Sequence, residues 1–231
     1  IKKLLKIDDT EFLKQIIKEE VIYAPFYDVK KRDISYLPIK LLHSITSSNG
    51  MCAGNTYEEA IIQGICEIFE RFSLSKIFTS SITPPNIPLE TFKGTSIFNT
   101  ILKMQEKGNR IIIKDCSLGI GLPVLGVLYI NNANSKYSFH LGADLSPVTA
   151  LERCLTELFQ GQASIKFKNI YDIGNDSFDL EKNYFDNIYS GNGEWPESLF
   201  KNNFTYEFTG FRYVTCNNDI EDLNYLAGLI S

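Results

Sequence analysis

Three glutamates recur at helical spacing in this sequence, and an amide and a guanidinium lie beside them. On a helix that turns about 100° per residue, these side chains fall within roughly 80° of arc. The set comprises Glu59, Gln63, Glu67 and Glu70, with Arg71 at its edge. Like charges at this spacing destabilise a helix by about 0.2–0.5 kcal/mol per pair. A bound divalent cation turns this repulsion into a net attraction, because carboxylate oxygens are ligands that Mg²⁺ prefers. The pattern is therefore compatible with a magnesium site.

The same pattern is also typical of an acidic helix face that is simply solvated. In that interpretation Glu59 caps the helix, and Arg71 neutralises Glu67 four residues before it. Spacing alone favours neither interpretation, and both stay open at this point.

The element that must position these side chains is a helix that begins after a Gly54-Asn55-Thr56 turn. Thr56 with Glu59 three residues later is the sequence signature of a capping box. Apolar residues then recur at helical spacing, which predicts the face that packs on the core. These residues are Ile61, Ile65, Ile68, Phe69 and Phe72.

A second helix is predicted after Ser146-Pro147, because a hydroxyl residue followed by proline favours a helix start. A β-hairpin precedes this helix, with strand-like runs at residues 123–130 and 137–143 on either side of a polar turn. The helix has a packing face of Leu151, Leu155, Leu158 and Phe159, and a second face of Arg153, Thr156, Glu157 and Gln160.

Both helices carry residues that resemble motifs of the YcaO family. The first region contains Ser48-Asn49-Gly50-Met51, Gly54-Asn55-Thr56 and Gln63-Gly64-x-x-Glu67-x-x-Glu70-Arg71. The second contains Ala150-Leu151-Glu152-Arg153 and Thr156-Glu157-Leu158-Phe159-Gln160-Gly161. Two motifs in this order are a specific signal, and the resemblance is strongest over residues 36–165.

Members of that family use ATP and magnesium to activate a backbone amide of a peptide, which then becomes an azoline, an amidine or a thioamide. The resemblance implies an α+β fold, with a layered mixed β-sheet and packed helices that hold ATP between them. It implies magnesium ligands at Glu67 and Glu70, with Glu59 as a third. It also implies nucleotide contacts from Asn55, Glu59, Gln63, Arg71 and Arg153, and it leaves the catalytic residue unassigned.

The family pattern predicts a single domain over residues 1–231 that lacks two family segments. An earlier acidic helix of the form Ser-x-x-x-Glu-x-x-Glu-Arg has no match before residue 40, and the proline-rich C-terminal segment has none after the second motif. The chain is then either a fragment of a longer protein or a divergent member with half of the ATP site missing. We expect ATP-dependent activity in a longer parent protein, and weak or no activity in this chain alone.

Two other functions stay open. The motifs resemble those of the family branch linked to methylthiolation of a small-subunit ribosomal protein, in which the protein is an accessory factor. A non-catalytic module that binds a peptide or a partner protein is the other possibility. The expected partners are a peptide or protein substrate, a protein that supplies substrate recognition, and a second copy of the chain.

Composition argues against several other classes of protein. A net charge of −5 without a basic stripe argues against a nucleic-acid-binding surface. No apolar run approaches the roughly 20 residues that a membrane span needs. The five cysteines form no Cys-x-x-Cys pair, which predicts reduced thiols in a cytoplasmic protein.

Local patterns predict the remaining elements. Helices are expected at residues 10–20, 99–107 and 220–230, strands at 21–24, 36–42, 110–114 and 204–208, and a long loop at 169–196.

Overall fold

The computed structural model of the chain describes residues 22–28, 31–40, 49–159, 168–174, 178–212 and 218–230. The predicted helix at residues 10–20 lies outside these ranges, as do Ser48, Gln160 and Cys216.

Seven strands form two antiparallel sheets within the described residues. The strands are β1 (Tyr23–Asp28), β2 (Asp33–Pro38), β3 (Asn86–Ile87), β4 (Asn109–Asp115), β5 (Val124–Asn131), β6 (Lys136–Ala143) and β7 (Lys168–Asn169). β1 pairs with β2 in a separate hairpin, and the other five follow the order β3-β4-β5-β6-β7. β5 and β6 form the predicted hairpin, with Val124 opposite Ala143 and Asn131 opposite Lys136.

Helices cover both faces of the five-stranded sheet. The α-helices of the described residues are α1 (Tyr57–Thr79), α2 (Ser96–Glu106), α3 (Pro147–Phe159), α4 (Leu180–Ser190) and α5 (Asp219–Leu229). Successive side chains of a strand point to opposite faces, so β5 contributes to two cores. Leu128 packs in a cluster with α1, α4 and α5, whereas Leu125 and Val127 pack with α2 and α3. This layered arrangement confirms the predicted α+β class, and every described strand pair is antiparallel.

β7 pairs with Lys136 and Tyr137 at the beginning of β6. α1 and α3 cover opposite faces of the sheet.

The orientation of α1 differs from the prediction. Ile65 is buried as expected, but Ile68 is 54% exposed and Phe72 is 43% exposed. The buried apolar residues of the second half of the helix are Leu74, Ile77 and Phe78. At about 100° per residue these three lie on the same side as the glutamates. The predicted packing face is therefore wrong at Ile68 and Phe72, whereas Ile61, Ile65 and Phe69 pack on the core. Glu67 and Glu70 are partly buried, while Glu59 and Gln63 are exposed.

Two predictions after the second motif are also wrong. The stretch expected to be a long loop contains α4, which Asp179 caps by accepting a hydrogen bond from the Lys182 N–H at 2.9 Å. Its many Asn and Asp residues obscured a short apolar face that includes Tyr184 and Ile188. The stretch at 204–208, expected to be a strand, has no regular structure.

Some element boundaries also shift. β1 continues through Pro25, because a two-stranded hairpin has only edge strands and these tolerate proline. β2 spans Asp33–Pro38 instead of residues 36–42. None of the helices in the described ranges has the length and apolarity required to span a membrane.

We predict that the cysteines differ sharply in reactivity. Cys52 is exposed, whereas Cys66, Cys116 and Cys154 are buried free thiols. Burial raises the pKa of Cys66 to about 12 and raises the pKa of the other two buried thiols well above the ordinary value. Iodoacetamide at pH 8 should label Cys52 in the native protein, and the other three only after denaturation, without any reduction step.

Peptide mapping by mass spectrometry measures each site separately. Labelling of Cys116 in the native protein at the rate of Cys52 would contradict the buried position. A disulfide between any two of the four would contradict the prediction of reduced thiols.

Candidate functional site

A polar cavity of about 420 Å³ lies where α1 and α3 meet beside the edge of β6. α1 contributes Gln63, Glu67, Glu70 and Arg71, β6 contributes Leu141 and Ala143, and α3 contributes Arg153, Thr156 and Glu157. Residues of the two sequence motifs, more than eighty positions apart, thus line one space. We call this space the polar cavity.

Close backbone approach brings α3 to the end of β6. A Cβ atom added at Gly142 would lie 2.6 Å from the Ala150 carbonyl oxygen and 3.0 Å from the Arg153 Cβ. Only glycine allows this contact. As a result, the turn of α3 that carries Arg153 and Glu157 lies beside β6.

Glu67 is held by the loop before α1. Its Oε2 accepts a hydrogen bond from the Gly50 N–H at 3.1 Å, and Gly50 has a positive φ of 79°. A Cβ added at Gly64 would lie 2.9 Å from the Cys52 Sγ, so the loop packs directly on the helix. The Asn49-Gly50 turn therefore orients a carboxylate of the polar cavity.

Arg153 is oriented by a residue that the sequence analysis missed. Its Nη2 lies 3.2 Å from the Asp144 Oδ2, and the Asp144 Oδ1 accepts a hydrogen bond from the Ser146 N–H at 2.9 Å. Burial raises the pKa of Asp144, while Arg153 and the Ser146 N–H oppose that shift. The sequence signal was the Asp-x-Ser-Pro string before α3, in which aspartate bonds the backbone two residues on.

Glu70 and Arg71 lie side by side at the inner wall of the polar cavity. Burial raises the pKa of Glu70 to about 7, with Arg71 lowering it and Glu157 and Glu67 raising it. The Nε of Arg71 is buried and donates to no acceptor within the described part of the chain. A buried guanidinium N–H without an acceptor fits an anionic ligand, because an unmade hydrogen bond at a buried charge is costly.

The structure does not bring Asn55 and Glu59 to the polar cavity. The Glu59 Oε2 accepts hydrogen bonds from the Asn55 N–H at 2.6 Å and from the Asn55 Nδ2 at 3.0 Å. The Glu59 N–H donates to the Thr56 Oγ1 at 3.1 Å. Glu59 therefore acts in a reciprocal helix cap, which was the structural alternative for this residue.

A complete protein-only metal site is not present in the described residues. No group of three or more His, Cys, Asp or Glu side chains there is arranged to hold a metal ion. Mg²⁺, however, is commonly bound through one or two carboxylates plus phosphate oxygens and waters. Glu67 and Glu70 fit that pattern, and Glu157 adds a carboxylate on the opposite wall.

A second cavity, of about 360 Å³, adjoins the first. We call it the aromatic cavity, because Phe139, Tyr189 and Trp195 are among the side chains that line it. Both cavities are lined by Glu70, Arg71, Leu141 and Glu157.

The sequence profile of one family, described as YcaO cyclodehydratase, ATP- and Mg²⁺-binding, matches residues 9–229. The chain belongs to the YcaO family. The resemblance of the two motifs is thereby confirmed, and ATP and Mg²⁺ are confirmed as ligands at the level of the family.

Curated relatives of this YcaO chain include two bacterial proteins. An uncharacterised protein of Haemophilus influenzae is 33% identical over 201 residues, which is 84% of this chain and 33% of that protein. The ribosomal protein S12 methylthiotransferase accessory factor YcaO of Escherichia coli is 32% identical over 199 residues, 82% of this chain and 33% of that protein. The chain thus spans about a third of the length of these relatives.

Among solved structures, the heterocyclase TruD is similar. It matches with a TM-score of 0.52 and 27% identity, over 60% of this chain and 22% of that protein.

We predict that Glu70 destabilises the protein above neutral pH. Its raised pKa means that the native state binds more protons than the unfolded state between pH 4.5 and about 7, so its contribution to stability falls as the pH rises. Glu70→Gln should match the wild type near pH 5. At pH 8 it should be more stable by about 2–3 kcal/mol, or about 4–12 °C in Tm.

Thermal unfolding at several pH values without added Mg²⁺ measures this difference. Glu58→Gln, in the first turn of the same helix, is the matched control and should show no such rise. A Glu70→Gln effect that is constant from pH 5 to pH 8 would disprove the buried-carboxylate explanation.

Proposed function

We propose that this chain forms the part of a YcaO enzyme that holds Mg²⁺ and the phosphates of ATP while a peptide amide is phosphorylated. The observation that carries the proposal is the polar cavity, in which Gln63, Glu67, Glu70, Arg71 and Arg153 converge from two helices. An unpartnered buried N–H of Arg71 gives this cavity an affinity for anions.

Each cavity residue has a role that follows from its chemistry. Glu67 and Glu70 supply hard oxygen ligands for Mg²⁺. Arg71 and Arg153 offer planar guanidinium groups, which suit phosphate oxygens better than lysine does. Gln63 supplies an amide that can donate to an oxygen. Positioning and charge neutralisation are what phosphoryl transfer needs, so the proposal requires no general base among these residues.

The reaction is an exchange of bonds at phosphorus and then at carbon. The peptide amide oxygen attacks the γ-phosphorus, and the bond from that phosphorus to the β,γ-bridging oxygen breaks to release ADP. A neighbouring thiol or hydroxyl of the peptide then adds to the amide carbon. The carbon–oxygen bond breaks with loss of phosphate, and the nucleophile and the amide nitrogen each lose a proton. The net products are an azoline, ADP and phosphate.

A second candidate function is that of an accessory factor in ribosomal protein methylthiolation. The 32% identity to the Escherichia coli factor favours it. The same ATP site would then serve a different acceptor, such as one that yields a thioamide. For either function we propose a peptide or protein substrate, a partner protein that recognises it, and a cytoplasmic location that suits the free thiols.

We predict that the polar cavity binds Mg²⁺-ATP through its charged residues. The double variant Glu67→Gln, Glu70→Gln should lose Mg²⁺-dependent binding, and Arg153→Lys should weaken binding about tenfold through loss of the forked contact. Isothermal titration calorimetry measures both. Arg110→Ala, which removes an exposed arginine outside the cavity, is the control for net charge.

The matching activity test uses a longer parent protein with ATP, Mg²⁺ and candidate peptides, followed by mass spectrometry. Unchanged turnover in the parent that carries Arg153→Ala would show that the site is wrongly assigned. Robust turnover by residues 1–231 alone would disprove the need for residues outside this chain.

We predict that Asp144 positions Arg153. Asp144→Asn should weaken Mg²⁺-ATP binding about threefold to tenfold, because the guanidinium loses an ionic partner that orders it. Asp144→Glu should restore part of the affinity. In an Arg153→Ala background, Asp144→Asn should have no further effect. Equal losses in both backgrounds would mean that Asp144 acts only through the stability of the fold.

A further inference from the structure

A third cavity, of about 240 Å³, lies beside the loop that joins β4 to β5. Residues of that loop between Asp115 and Pro123 form one wall, and the segment from Tyr206 to Arg212 forms the other. We call this space the loop cavity. It shares no lining residue with the polar cavity or the aromatic cavity, so a ligand bound there is separate from the proposed nucleotide site.

One tyrosine joins the two walls of the loop cavity. The Tyr206 hydroxyl donates a hydrogen bond to the Asp115 carbonyl oxygen and accepts one from the Leu118 N–H at 3.3 Å. Leu118 has a positive φ of 55°, a conformation that is uncommon for any residue except glycine. Such a conformation persists only where surrounding contacts hold it, and these hydrogen bonds therefore fix the shape of the cavity.

The loop cavity contains a buried carboxylate. Asp115 is 7% exposed, and its Oδ1 accepts a hydrogen bond from the Ser117 N–H at 2.9 Å. Burial raises the pKa of Asp115, and hydrogen bonds from Ser117 oppose that shift. No Lys or Arg side chain in the described part of the chain forms an ion pair with it. A buried carboxylate without a cation is unfavourable, and a cationic ligand would remove that cost.

Aromatic side chains supply the apolar part of the loop cavity. Phe208 and Phe211 line it with ring centroids 5.2 Å apart, and the Phe211 ring lies 6.2 Å from that of buried Phe92. An aliphatic stem packs on such rings, and a positive head group is attracted to their faces. The other charged residues of the lining are Glu207 and Arg212, both exposed, so two carboxylates outnumber one guanidinium.

We infer that the loop cavity binds a cationic group on an apolar stem, namely a lysine or arginine side chain or a free alkyl diamine. Asp115 pairs with the positive head group, and Phe208 and Phe211 contact the stem. An anion is disfavoured there, because it meets a carboxylate that no cation neutralises. This inference goes beyond the proposed function and does not depend on it.

Glycine amides can report on the loop cavity, because Gly119, Gly121 and Gly210 line it. The chain is labelled with ¹⁵N-glycine and titrated with N-acetyl-lysine methylamide and with N-acetyl-norleucine methylamide, which has a similar stem without the charge. In NMR spectra the lysine compound should shift the signals of these three glycines. It should bind about tenfold tighter than the norleucine compound, because only it pairs with Asp115. Equal affinities would overturn the inference.

Three variants test the charges of the loop cavity. Asp115→Asn keeps the shape of the side chain and should weaken binding of the lysine compound by about tenfold. Glu106→Gln removes an exposed carboxylate at the end of α2 and is the control for net charge, so it should leave binding unchanged. Arg212→Gln removes the cation from the lining and should tighten binding. If Asp115→Asn weakened the norleucine compound as much as the lysine compound, Asp115 would be merely structural and the inference would be wrong.

Two further probes identify the kind of ligand. If 1,5-diaminopentane binds tighter than the lysine compound, the inference is supported with a free amine as the ligand, whereas the reverse order supports a polypeptide side chain. Inorganic phosphate that binds at the same glycines, and no longer binds in Arg212→Gln, would reveal an anion site and overturn the inference. Mg²⁺-ATP binding, measured by calorimetry, should be the same in Asp115→Asn as in the wild type, so the inference and the proposed function fail independently.

Discussion

The site depends on the burial of a charged helix stripe. Leu74, Ile77 and Phe78 anchor the second half of α1 in the core, and the rigidity of the helix then carries Glu67 and Glu70 inward as well. Burial of the charged form of Glu70 costs free energy, and the nearby carboxylate of Glu67 adds to that cost. The pKa of Glu70 is raised for these reasons. The apolar half of one helix thus supplies the free energy that keeps the charged half in an unfavourable place.

Residues of β6 and α3 lie opposite this stripe. α1 and α3 cover opposite faces of the sheet. Side chains of both helices line the polar cavity together with Leu141 and Ala143 of β6. The close contact at Gly142 fixes α3 at the strand, and Asp144 turns Arg153 toward the cavity.

The sequence was most informative where local chemistry decides the structure. The cap at Thr56, the β5–β6 hairpin and the start of α3 all depend on neighbouring residues, and each was predicted. The inward orientation of α1 was not predicted, because it depends on the second half of the helix and on the sheet beneath it. α4 was missed for a similar reason, since few of its residues are apolar and its burial comes from distant partners such as Phe78, whose ring contacts Tyr184.

The same distinction applies to the site. The structure places Gln63, Glu67, Glu70, Arg71 and Arg153 around one cavity, and the nucleotide and magnesium roles that the family motifs imply for them stay predictions. The motifs also named Asn55 and Glu59. Spacing alone had left Glu59 open to a capping role, and the structure shows that role, with Asn55 as a hydrogen-bond partner of Glu59. The role of Asp144 and the aromatic cavity could not be predicted from the sequence, because the residues that meet there come from separate elements of the fold.

The contact between Gly64 and Cys52 has a consequence for how this region can vary. A methyl group at Gly64 would occupy the space of the Cys52 sulfur and would also lie 3.1 Å from the Gly50 carbonyl oxygen. These positions therefore share one small volume, and a larger residue at one requires a smaller residue at the other. Since the Gly50 N–H binds Glu67, a mismatch in size would be transmitted as a rotated carboxylate. Substitutions at Gly64 and Cys52 should accordingly compensate each other, although neither side chain lines the polar cavity.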